Sequence, residues 1–155
     1  NTSEQTTTST SATDLVTISG LLIPTTQMIQ IRFNYRKTSG AAAACGLGLK
    51  INSTVVTEAT AAYAITNIGS TSNTNEAQFG AGEVTILPRS TNYLRGAYGS
   101  FTYYNTGGSS NAITFPASTA DIPNATITSI AIRGISGSAS VTLAVKNVEI
   151  MVRDA

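Results

Sequence analysis

One stretch limits the possible folds more than any other. Between residues 27 and 38, Ile29, Ile31, Phe33 and Tyr35 alternate with Gln30, Arg32, Asn34 and Arg36. Successive side chains of a strand point to opposite faces, so a period of two over eight residues describes a strand with one dry and one wet face. A helix would spread the same apolar residues around its circumference. A half-dry strand is stable only within a sheet whose dry face is covered by a second layer. The residue types agree. Ile outnumbers Leu 15 to 8 and Thr occurs 25 times in 155 residues. These β-branched side chains are stiff at χ1 and suit a pleated surface.

The rest of the chain repeats this pattern in shorter pieces. Leu15, Val16 and Ile18 suggest a short first strand, and Pro24 closes the connection after it. Ser39-Gly40 turns the chain into residues 43–51, where Cys45, Leu47, Leu49 and Ile51 share a phase and Gly46 and Gly48 occupy the other. Asn52-Ser53 reads as a hairpin tip with residues 54–57 returning. An Ala-rich segment, 58–64, has room for a helical turn or two, and 63–68 for a strand. After a polar loop at 69–75, residues 78–87 form a strand with Gly80 and Gly82 at its start, ended by Pro88. Residues 93–104 make an aromatic strand, 105–111 a loop, and 113–115 a short strand stopped by Pro116. The C-terminal pair, 125–133 and 140–153, changes phase near Lys146-Asn147, as a β-bulge would make it do. About eight strands, and no amphipathic helix of three turns, describe an all-β, antiparallel two-sheet sandwich of the jelly-roll kind. Residues 1–13 stand apart as a polar Ser/Thr-rich arm with no apolar side chain before Ala12. Such an arm is expected to be disordered alone and to order on a partner, for instance as an added edge strand. Residues 14–155 form the sandwich domain.

Composition removes most chemistry. Only 11% of residues are charged and the net charge is +1, which leaves no electrostatic footprint for nucleic acid or an anionic membrane. The nearest approach to a basic cluster is Arg32, Arg36 and Lys37. The chain contains no His and a single cysteine, Cys45. A Ser-His-Asp or Cys-His centre and an ordinary zinc site are therefore excluded. The acids are scattered, with Glu58, Glu76 and Glu83 nearest to strand ends, and surface charge explains them better than a hydrolytic pair. Asn73, Asn75 and Glu76 form the densest oxygen cluster and read as a solvated loop, not a calcium site. Asn-X-Ser/Thr triplets at Asn1, Asn52 and Asn124 are about as frequent as chance allows, roughly three. No cofactor, no metal and no enzyme activity are expected.

Aromatic residues concentrate at Tyr93, Tyr98, Phe101, Tyr103 and Tyr104. In a strand, Phe101 and Tyr103 face one way while Tyr98 and Tyr104 face the other. One pair is expected in the core. The group as a whole supplies candidates for a ligand or subunit contact. Trp, the best platform for a sugar ring, is absent.

The segment from Ile127 to Gly134, followed by Val141-Thr142-Leu143-Ala144-Val145-Lys146-Asn147-Val148-Glu149-Ile150, resembles the last hairpin of jelly-roll modules. Such hairpins occur in carbohydrate-binding modules and in small phage structural proteins. The Thr-rich and Ala/Gly-rich stretch from Asp14 to Val56 looks like capsid decoration and fibre-head domains of tailed phages. The resemblance implies a non-enzymatic virion structural protein. It would be a decoration (cement) protein on a particle surface, a homo-oligomer and most simply a trimer, partnered by the major capsid protein or another virion protein. The alternative is a carbohydrate- or receptor-binding module, on a tail fibre or secreted, with a glycan as partner.

Overall fold

The computed structural model describes residues 3–38, 40–57, 69–71, 76–88, 97–105, 110–115, 122 and 124–154. Every strand pairing among them is antiparallel. The strands are β1 (Gln5–Thr7), β2 (Thr13–Ile23), β3 (Gln27–Lys37), β4 (Gly46–Ile51), β5 (Thr54–Thr57), β6 (Gly69–Ser70), β7 (Gln78–Ile86), β8 (Ala97–Asn105), β9 (Ser110–Phe115), β10 (Ile127–Ile135) and β11 (Leu143–Asp154). A six-stranded sheet runs β1-β11-β3-β7-β8-β9. A smaller one runs β2-β10-β4-β5, with β6 also on β4. The first strands of the chain thus lie beside the last ones in both sheets, which is the interlocking expected of a jelly roll.

The alternation in β3 does what its period requires. Ile29, Ile31, Phe33 and Tyr35 are buried, and Arg32, Asn34 and Arg36 are exposed. Opposite them, Leu47, Leu49 and Ile51 of β4 and Ile130 and Ile132 of β10 close the same core. The two glycines of β7 make room for aromatic rings. Phe33 lies opposite Gly82 and Tyr35 opposite Gly80. A Cβ at Gly82 would sit 2.3 Å from the Phe33 ring, and one at Gly80 would sit 2.8 Å from the Tyr35 ring. Tyr35 reaches across β7 and donates its hydroxyl to the Thr102 carbonyl at 3.4 Å.

The phase change in β11 is a bulge. Register shifts between Lys146 and Glu149, with Asn147 at φ 53°. Asn tolerates this left-handed conformation better than most residues, and the bulge returns Val148 to the core. Asn52, at φ 54°, shapes the β4–β5 turn. Its side chain accepts hydrogen bonds from the Thr128 and Ser129 amides and donates to the Thr126 carbonyl, pinning the hairpin to β10.

Several expectations change. Eleven strands appear among the described residues where about eight were expected; Gln5–Thr7 and Gly69–Ser70 pair where an arm and a loop were expected, and residues 110–112 lengthen the strand at 113–115. The arm is not a separate lead-in ending at residue 13. Gln5–Thr7 pairs with β11 of its own chain, and Glu4 grips Arg36. β2 runs well beyond Ile18, and Gly20, at φ 75°, absorbs a register shift on the way. Lys37 falls on the inward phase and is 1% exposed, and burial pushes its ammonium below the ordinary 10.5. The helical segment at 58–64 and the strand at 63–68 lie outside the described residues. Among the described residues no helix is long and apolar enough to cross a membrane.

Candidate functional site on the outer face of the large sheet

The register of β3, β7 and β8 lays their outward side chains in four rows. Gln30, Thr85 and Tyr98 form the first row, and Arg32, Glu83 and Ser100 the second. Asn34, Ala81 and Thr102 form the third, and Arg36, Phe79 and Tyr104 the fourth. Directly opposed side chains on one face of a sheet touch, and rows along a strand are roughly 7 Å apart.

In the second row, Arg32 donates from Nε to Glu83 Oε2 at 2.8 Å, and Gln30 donates from Nε2 to Glu83 Oε1 at 2.6 Å. The Arg32 hydrogen bond, helped by Gln30 and opposed by burial, holds the Glu83 carboxyl below its ordinary 4.5. In the fourth row Arg36 grips both oxygens of Glu4, at 2.6 and 2.9 Å. That contact lowers the Glu4 pKa and raises that of Arg36. The charges in these rows of β3 and β7 are thus matched and hydrogen-bonded.

The third row is low because Ala81 is small. Around it runs a shallow groove of about 290 Å³, lined by Arg32, Asn34, Glu83, Ser100 and Thr102. One row further along, Phe79 and Tyr104 stack across the strand pair, with ring centroids 5.6 Å apart and planes 24° apart. They remain 57% and 44% exposed. A second depression of about 300 Å³ is lined by Arg36, Thr38, Ala77 and Phe79. At the far end of the face Tyr98 is 50% exposed. A flat apolar patch therefore adjoins a groove walled by planar, hydrogen-bonding groups. This arrangement can hold a ligand that has one apolar face and several hydroxyls.

Of the five aromatic candidates from the sequence, the structure brings Tyr98 and Tyr104 to this face, at opposite ends. Phe101 takes the inward phase, 2% exposed, and packs edge-on against Tyr35 with centroids 6.3 Å apart, so it leaves the set of contact candidates. Tyr103 pairs with Gly80 of β7. Tyr93 lies outside the described residues. Sequence reasoning missed Phe79. Its parity against Val84 and Ile86 was the available signal, since a strand that buries even positions must show residue 79 to solvent. That Tyr104 would be its neighbour depended on register, which the sequence left open.

Among the described residues, Glu83, Glu4 and Asp14 are each committed to basic or amide partners. Glu83 is committed to Arg32 and Gln30, Glu4 to Arg36, and Asp14 to Lys50 and Arg133. Among the described residues no three His, Cys, Asp or Glu side chains gather as a metal site would require. Glu58, Asn73 and Asn75 lie outside the described residues. Cys45 is buried, its amide donating to Thr71 Oγ1 at 2.7 Å.

No protein-family model matches this chain. No curated protein matches it either. Among solved structures, the carbohydrate recognition domain of Emp46p aligns at 8% identity over 84% of this chain and 73% of that one, with a TM-score of 0.34. A Lotus tetragonolobus seed lectin aligns at 6% identity over 90% and 80%, with a TM-score of 0.34. A polysaccharide lyase of family 18 aligns at 8% identity over 95% and 83%, with a TM-score of 0.35.

Proposed function

We propose that this chain is a non-enzymatic glycan-binding module and that the outer face of its six-stranded sheet is the binding surface. One observation supports this above the others. The exposed Phe79–Tyr104 stack lies one row from a groove walled by Asn34, Arg32 and Glu83. A sugar ring packs its CH-rich face on an aromatic plane and presents vicinal hydroxyls to planar amide, guanidinium and carboxylate groups. Because Arg32 and Glu83, which wall the groove, are already paired with each other, a neutral oligosaccharide suits it better than an anionic one.

The decoration-protein reading drew its force from a polar arm in need of a partner. That arm finds its partner in β11 of the same chain, so no observation favours the virion reading over the glycan reading.

Screening the chain against neutral oligosaccharides, followed by titration calorimetry, tests the proposal. Binding should appear, and Tyr104→Ala and Phe79→Ala should each weaken it at least tenfold, about 1.4 kcal/mol. Failure to bind any glycan, or binding that both variants keep, overturns it.

A further inference from the structure

The six-stranded sheet has one flank that is only partly covered. β1 pairs with β11 from Leu143 to Val145 and no further. Beyond the bulge, Glu149 to Asp154 pair one for one with β3 on one side. No described strand pairs with their other side. An open, regular strand edge is a template for another strand.

The side chains along this edge have unusual surroundings. Val152 belongs to the inward phase, opposite Ile29, yet is 41% exposed. Ile150, also inward, is only partly buried. On the outward phase, Glu149 and Arg153 form no ion pair with any described residue, whereas Arg32, Arg36, Lys50 and Arg133 all do.

We propose that this flank seats a second copy of the chain, β11 pairing antiparallel with β11 about a two-fold axis at Met151. In that register Met151 meets its own counterpart. Ile150 faces Val152 of the second copy on the dry side, twice. Glu149 faces Arg153 of the second copy on the wet side, twice. Moving the axis by one residue destroys both matches: centred on Ile150 it sets Glu149 against Met151, and centred on Val152 it sets Arg153 against Met151. The contact is isologous, and it closes without leaving a repeated free edge that could grow into a fibre. Opposite charges and apolar pairs directly across strands are the contacts that stabilise a sheet. The product is a continuous sheet of twelve strands. Both outer faces then lie on one side, so two grooves would address one surface, and avidity would follow from geometry alone.

The charge pair supplies the test. Sedimentation velocity on the full chain at tens of micromolar should give a dimer. Glu149→Arg and Arg153→Glu should each sediment as folded monomers, with dissociation constants raised at least tenfold, because each sets like charges opposite one another twice. An equimolar mixture of the two variants should recover the dimer, since the mixed pair restores both contacts; two merely misfolded variants would not do this. A monomeric or trimeric parent chain, a dimer that both variants retain, or a mixture that stays monomeric would each overturn the proposal.

Discussion

The two outward faces of the sandwich come from the same alternation and carry different content. The large sheet shows Asn34, Phe79, Ala81 and Tyr104, with Arg32 and Glu83 tied together. On the outward phase of the small sheet Gly48 and Ala131 are buried beside Thr17 and Lys50, with Asp14 joined to Lys50 at 2.8 Å and to Arg133 at 3.0 Å. One has rings, a groove and planar polar walls, and the other has small residues and a compact ion trio. Burial explains the inward faces of both sheets equally well. What separates the sheets is the content of positions the core does not constrain, and that is where a binding role belongs.

The largest expected effects should not distinguish the sheets. Ile31→Ala in the large sheet and Ile132→Ala in the small one should each cost about 2–5 kcal/mol in urea unfolding. Their outward neighbours, Gln30→Ala and Thr17→Ala, should stay within about 0.5 kcal/mol. A large inequality between the two isoleucines would mean that one sheet dominates the core.

Next in size comes the groove's floor. Gly82→Ala drives a methyl into the Phe33 ring and should cost about 1–3 kcal/mol by overpacking. Near-wild-type stability would mean that the aromatic–glycine fit is loose.

Function separates the faces at smaller energies. Ala81→Leu, which fills the groove, should lower glycan affinity at least tenfold, about 1.4 kcal/mol, with little change in melting temperature. Thr17→Leu on the opposite face should leave affinity unchanged. Equal losses from both would remove the distinction drawn here.

Smallest is the acid response. Glu83 has a folded-state pKa below its ordinary 4.5, so the unfolded chain binds its proton first. The stabilisation by the Arg32 pair is complete above about pH 4.5 and disappears as pH falls through the lower, folded value. The pair is exposed, so the loss should be under about 1 kcal/mol. Glu83→Gln should flatten that part of the urea-midpoint profile, and an unaltered profile would show that the pair contributes nothing.

Parity carried most of what the sequence revealed. The face of β3 and the phase change at Lys146-Asn147 follow from counting in twos, and the turn at Asn52 from its turn-forming residues, while counting left open whether Phe101 or Tyr98 and Tyr104 faced the core. The docking of residues 5–7 was hidden because that ladder depends on backbone hydrogen bonds and on the Glu4–Arg36 contact, and neither leaves an apolar period. Lys37 was hidden for the opposite reason. Its parity pointed inward while its charge argued for solvent, and parity prevailed at the end of the strand. The candidate face was half legible. Tyr98 and Tyr104 had the right phase, but the row joining Arg36, Phe79 and Tyr104 exists only through the pairing of three separate strands.

The pairing of first strands with last ones also sets a timetable. Thr13 meets Gly134 across 121 residues of chain, and β2 has β10 as its one paired neighbour among the described strands. The β7–β8–β9 meander can zip as soon as it is made, because its partners are adjacent in sequence. β2 cannot, and closing so long a loop must precede any reward from its contacts. During synthesis Leu15, Val16, Leu21 and Ile23 therefore wait in the open until β10 has left the ribosome. Chains interrupted before that point are left with a bare apolar strand, and aggregation is their expected fate.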